Sequence, residues 1–199
     1  LEKIEKNEVK KIRKIYFDSI ESEIKNRDDS KLYIDKFPLN IIYVGEISRI
    51  FPNAKFIFSL RHPCDSVLSC FMQFFSINNA MANFFNLEDS AKLYDHVMKL
   101  WIQYKTIFPI NYYEVRYENL VENLEPTMRS LLKFLELPWE DSILEFYKTA
   151  KKRKQIQTPS YDQVTKPIYS HANGRWKLYK KQMKNVYPIL EPWIKKFNY

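Results

Sequence analysis

The chain has 199 residues, 45% hydrophobic and 16% aromatic, which is ample for a core and excludes a disordered chain. Its formal net charge of +8 calls for an anionic partner: nucleic acid, a membrane surface, an acidic protein or a small polyanion. His62, His96 and His171 and the pair Cys64 and Cys70 show no metal-ligand spacing, no intrachain disulfide is expected, and no run of about eighteen apolar residues suggests a membrane span.

Residues 1–27 read as an amphipathic helix with Ile4, Val9, Ile12, Ile15, Tyr16, Ile20 and Ile24 on its apolar stripe. Lys10, Lys11, Arg13 and Lys14 read as a solvated face. Lys31–Asp35 is expected to be a short strand. Pro38 stops it and opens a helix to about Ile50, so Lys36 lies at a strand-to-helix crossing, where a lysine can neutralise charge on a bridging oxygen or simply pair with Asp35.

The central stretch runs from Lys55 to Gln73. Lys55–Leu60 is short, apolar and aromatic, the pattern of a buried strand. Arg61 follows at its end, and Pro63 and Asp65 suit the first turn of a helix. Cys64, Val67, Leu68, Phe71, Phe74 and Phe75 repeat at helical spacing, with Ser69 on another side. A guanidinium at the carboxyl end of a strand, with a hydroxyl on the next helix, suits phosphate binding in an open α/β sheet. The plainer alternative pairs Arg61 with Asp65 and leaves Ser69 solvated.

Ile77–Leu87 reads as a loop, a candidate lid. Asp89 or Ser90 is expected to cap a helix through Tyr104, and Tyr112–Tyr117 to form a third strand that turns into a helix at Arg116–Leu120. Pro126 opens a helix that Pro138 ends, and Glu140–Ala150 forms another. The basic run Lys151–Lys154 enters a long polar loop, residues 155–170, without glycine. Gly174 is one of only two glycines, the other being Gly45, and it sits between Asn173 and Arg175. That setting suits backbone N–H groups and an arginine closing on an anion. Strands separated by helices predict a helix-rich α/β fold with a parallel, helix-flanked sheet. The whole reads as one domain: an N-terminal helix (1–27), a core (31–183) and a C-terminal helix (184–199).

Several segments, taken in order, resemble sulfotransferases that use 3′-phosphoadenosine 5′-phosphosulfate. The resemblance is to the bacterial group often carried behind tetratricopeptide repeats and, more distantly, to tyrosylprotein sulfotransferases. The segments are Asp35–Leu39, Arg61 with Ser69, Tyr117–Leu120, Ser160–Pro167 and Gly174–Trp176. The resemblance implies a P-loop-like fold. It also implies that Arg61, Ser69, Gly174, Arg175 and Trp176 hold the 3′-phosphate region of the nucleotide and that Tyr117 packs near the adenine. Lys36 and Ser160 would act on the leaving phosphate oxygen. The donor is the nucleotide, no metal is implied, and the acceptor would be a peptide, a glycan or a small molecule. The family's first strand and glycine-rich phosphosulfate loop have no counterpart here, so the chain is expected to be part of a longer protein and incomplete for turnover alone. A non-catalytic nucleotide- or partner-binding module is the alternative. Nucleic-acid binding through the basic runs lacks a recognition motif. Unpaired cysteines and no visible signal suggest a cytoplasmic setting.

Overall fold

The computed structural model describes residues 5–23, 31–76, 78–152 and 165–199. It is a helix-rich α/β structure that divides into two compact units, Leu1–Phe56 with Lys99–Asn111, and Ile57–Met98 with Tyr112–Tyr199.

In the first unit, α1 (Lys6–Glu23) buries Val9 and sets the rings of Tyr16 and Phe17 against Phe51, at 5.0 and 5.9 Å between centroids. The buried face is rotated from the predicted stripe. Ile15 is 68% exposed, and Arg13, expected in solvent, is half-buried with its Nε–H donating to the Ile50 carbonyl. That carbonyl lies at the end of α2 (Val44–Ile50), where a guanidinium satisfies an orphan acceptor and complements the helix dipole.

The predicted strand Lys31–Asp35 is not one. The segment forms no ladder, and Leu32 and Ile34 are exposed. A short apolar run makes a strand only when a partner supplies the ladder hydrogen bonds, and no described residue forms a ladder with this one. Pro38 does open a helix, first as a 3-10 segment (Pro38–Tyr43) and then as α2. Gly45 is buried there under the ring of Tyr104, whose hydroxyl donates to the Ile42 carbonyl at 2.8 Å.

The second unit is built on β1 (Phe56–Leu60) and β2 (Tyr112–Arg116), a two-stranded parallel sheet. Only one face of β1 is buried: Phe58 and Leu60 point inward, whereas Ile57 and Ser59 are exposed. α3 (Pro63–Phe71) follows with Pro63 in its first turn, where a missing N–H costs nothing. Its Cys64, Val67 and Leu68 join Ala91, Met183, Val186, Leu190 and Ile194 in the core. Phe74, expected on that face, is 96% exposed, because the helix ends at Phe71.

The segment read as a loop before α4 (Leu87–Ile107) holds a 3-10 turn at Met81–Phe84. Its asparagines replace backbone partners: Asn78 Oδ1 accepts from the N–H groups of Ala80 and Met81, at 3.0 and 2.9 Å. Asn86, not Asp89 or Ser90, caps α4, its Oδ1 accepting from Asp89 N–H at 2.8 Å.

β2 runs into α5 (Tyr117–Glu122) and then α6 (Leu124–Leu135). A 3-10 turn (Asp141–Glu145) leads to α7 (Phe146–Lys152). Most of the polar loop, including Ser160, lies outside the described residues. After it come a 3-10 turn at Arg175–Tyr179, α8 (Lys180–Met183) and α9 (Tyr187–Lys196). Trp193 on α9 donates through Nε1 to Asp95 on α4 at 3.0 Å.

Candidate functional site

The second unit has two strand-to-helix corners, and one side chain joins them. Leu60 ends β1 as a nearly fully buried residue, so the chain leaves the core at Arg61. At the next residue His62 N–H donates to Glu118 Oε1 (2.9 Å), on the first turn of α5. The other oxygen of Glu118 accepts from the Tyr199 hydroxyl at 2.8 Å. Burial and the adjacent Glu118 carboxylate push the Tyr199 phenol far above its ordinary range, so it remains a donor. The guanidinium of Arg116 lies over its ring, 5.0 Å from the centroid.

Arg61 and Asp65 do not pair. Asp65 is 1% exposed, and both of its oxygens face backbone: Oδ2 accepts from Gly174 N–H at 2.7 Å and Oδ1 from Trp176 N–H at 2.8 Å. Gly174 makes this possible with a left-handed φ of 69°, which folds the turn so that both donors reach one carboxylate. The Trp176 ring stacks on His62 at 5.1 Å and 22°. His62 Nδ1 caps α3 by accepting from Cys64 N–H. Burial lowers the pKa of His62, outweighing the nearby carboxylates.

The Arg61 guanidinium is held on two sides. Nη2 donates to the Ala172 carbonyl at 2.5 Å, and Cζ stands 4.6 Å from the centroid of Tyr117. Its Nε is buried and has no hydrogen-bond partner among the described residues. Trp176 Nε1 is likewise buried and unpartnered there. A positive group with an unspent donor, next to an aromatic face at a strand's carboxyl end, can take a planar ligand carrying a phosphate. Tyr169 and His171, stacked at 4.1 Å and 12°, add aromatic surface in the same unit.

Arg61, Tyr117, Gly174 and Trp176 therefore meet at one corner. Ser69 is exposed on α3, and the Arg175 side chain is also exposed. The N–H groups of Gly174 and Trp176, expected to face an anion, are taken by Asp65. Lys36 belongs to the first unit and is exposed in the segment before Pro38. Cys64 and Cys70 are free thiols; burial pushes the Cys64 pKa up to about 12 and raises that of Cys70, so neither serves as a thiolate near neutral pH. Among the described residues no group of His, Cys, Asp or Glu could hold a metal ion, and no helix is long and apolar enough to cross a membrane.

Sequence reasoning missed the connecting roles of Asp65, Glu118 and Tyr199. Their partners lie 109, 56 and 81 residues away, beyond any local pattern. The hint available was an acid at the third position of α3 together with a lone glycine in a polar turn.

Superposition on the sulfotransferase domain from the curacin biosynthetic pathway gives a TM-score of 0.58 at 17% identity, covering 88% of this chain and 66% of that one, a likeness of fold. The sequence profile of the sulfotransferase family matches residues 3–141, and the chain belongs to that family. The matched region includes Lys36, Arg61, Ser69 and Tyr117 and ends before Ser160 and Gly174.

An uncharacterized protein of Aquifex aeolicus is 39% identical over 167 residues, 82% of this chain and 21% of that protein. A protein-tyrosine sulfotransferase of Drosophila melanogaster is 29% identical over 147 residues, 71% of this chain and 29% of that protein. The chain thus spans less than a third of the length of either relative.

Proposed function

We propose that this chain supplies the nucleotide-binding and leaving-group residues of a sulfotransferase that uses 3′-phosphoadenosine 5′-phosphosulfate. The acceptor would be a hydroxyl or amine of a peptide, glycan or small molecule. The observation that carries the reading is Arg61: a guanidinium at the carboxyl end of β1, over the Tyr117 ring, with a buried Nε that no described residue uses.

In the proposed reaction the acceptor oxygen or nitrogen forms a bond to sulfur while the bond from sulfur to the bridging oxygen breaks. The electron pair stays on that oxygen, which becomes part of the 5′-phosphate, and the acceptor's proton is released to solvent. Little covalent chemistry is asked of the protein. Its work is to position two substrates and to offset charge growing on the leaving phosphate. Arg61 would hold the 3′-phosphate, Ser69 and Arg175 would add hydrogen bonds to it, and Tyr117 would lie against the adenine. Gly174 and Trp176 would shape the turn beside it. Lys36 and Ser160 would act on the leaving oxygen, an assignment that rests on the sequence resemblance.

Calorimetric titration with adenosine 3′,5′-bisphosphate, beside adenosine 5′-monophosphate, tests this reading. Preference for the bisphosphate that disappears in Arg61→Ala is the expected result. Equal affinity for both nucleotides in the unaltered protein would remove the assignment.

A further inference from the structure

The sequence places a carboxylate four residues after Arg61, near enough to neutralise it, and the fold spends that carboxylate elsewhere. Both oxygens of Asp65 are taken by the N–H groups of Gly174 and Trp176. Two residues before Gly174 in the same turn, the Ala172 carbonyl accepts from Arg61 Nη2. Asp65 is therefore linked to Arg61 through the turn and not by a direct ion pair: carboxylate, two amides, the 172–176 backbone, one carbonyl, guanidinium. The left-handed Gly174 is the joint, and a Cβ there would meet only ordinary contacts with Lys177, at 3.6 Å or more, so it is backbone conformation and not lack of room that calls for glycine.

We propose that Asp65 is a positioning residue for nucleotide recognition, fixing the 172–176 turn so that its Ala172 carbonyl orients the Arg61 guanidinium toward a 3′-phosphate. The ligand in this statement rests on the reading proposed above; the link from Asp65 to Arg61 does not. The arrangement does two things together. It diverts a buried carboxylate from Arg61, whose charge then remains for an anion. It also restrains the rotamers of a long side chain before a ligand arrives, which lowers the ordering cost of binding.

Asp65→Asn is the first variant. An amide offers one acceptor oxygen, and its NH2 would face a backbone N–H, so at least one of the two tethers fails. Gly174→Ala disturbs the same turn from the other side through its positive φ, leaves Asp65 intact, and decides the question if Asp65→Asn does not fold. Each folded variant is titrated with adenosine 3′,5′-bisphosphate and adenosine 5′-monophosphate, and the Arg61 Nε–H signal is followed by NMR in protein labelled with nitrogen-15 arginine.

The expected result is that preference for the bisphosphate falls about tenfold, the weight of one charge-assisted hydrogen bond, while affinity for the monophosphate changes by less than about twofold. The Arg61 Nε–H signal moves in both variants before any ligand is added. A folded variant that keeps its preference and leaves the signal in place overturns the proposal. If the unaltered protein shows no preference for the 3′-phosphate, the nucleotide reading fails by itself; the Arg61 signal then still decides whether Asp65 orients the guanidinium.

Discussion

Arg61-His62-Pro63 and Lys36-Phe37-Pro38 look alike as sequence: a short apolar run, a basic residue, then a proline two positions on. Their surroundings in the fold are opposite. The run before Arg61 is β1, paired with β2 and ending in a buried Leu60. The run before Lys36 has no ladder, and its Leu32 and Ile34 are exposed, with Asp35 held by the Tyr16 hydroxyl at 3.1 Å and the Asn40 amide at 3.2 Å. Arg61 is fixed by a carbonyl and an aromatic face, whereas Lys36 is exposed. A basic residue gains a fixed direction where the strand before it is paired and the groups around it are themselves tethered. Without those, the same pattern leaves a solvated charge with a free choice of rotamer.

That contrast can be broken most directly at Arg61. Arg61→Ala should lower affinity for adenosine 3′,5′-bisphosphate by about 10–100-fold, the range for charge-assisted hydrogen bonds, as read by calorimetry. The tethers come next. Glu118→Ala strands the His62 N–H and the Tyr199 hydroxyl, and should cost about 3 kcal/mol of stability in a denaturant titration.

In the first unit, Gly45→Ala places a Cβ 2.9 Å from Tyr104 Cε1 and 3.3 Å from Phe108 Cε2. The Tyr104 ring must move away from its hydrogen bond to Ile42, so a loss of about 1–2 kcal/mol is expected by thermal unfolding.

His62 gives a smaller, pH-dependent effect. Its folded pKa lies below the ordinary 6.5, so the unfolded chain takes up the proton first as pH falls. This contribution to stability is complete above pH 6.5 and is lost as pH drops below that value toward the folded pKa. His62→Asn keeps an acceptor for capping and cannot titrate in this range, so its stability between pH 7 and 5 should fall less steeply than that of the unaltered protein. The least effect is expected at Lys36: Lys36→Ala should change stability by less than about 0.5 kcal/mol, whatever it does to turnover. A large loss of stability there would mean that the two basic residues are held more alike than their exposures indicate.

Much of the second unit was legible in its residues. β1 was readable from its aromatic run, α3 from Pro63, Asp65 and the spacing of Cys64, Val67 and Leu68, and the start of α5 from Tyr117-Glu118-Asn119. These signals are local, because propensity and periodicity act over one or two turns. The same reasoning failed at Lys31–Asp35, read as a short strand although no described residue forms a ladder with it, and at Ile15, where several rotations of α1 fit an apolar stripe and contact with Phe51 selected one.

For the site, the sequence by itself determined which chemistry is on hand: a guanidinium after a strand, hydroxyls, a tyrosine at the next corner, a lone glycine in a polar turn. Only the tertiary structure decided who holds whom. It gave Asp65 to the backbone of Gly174 and Trp176, Glu118 to His62 and Tyr199, and left Arg61 a donor with no described partner. The physical reason is that a buried carboxylate must find donors, and its choice among competing N–H groups depends on distances set by segments far apart in the chain.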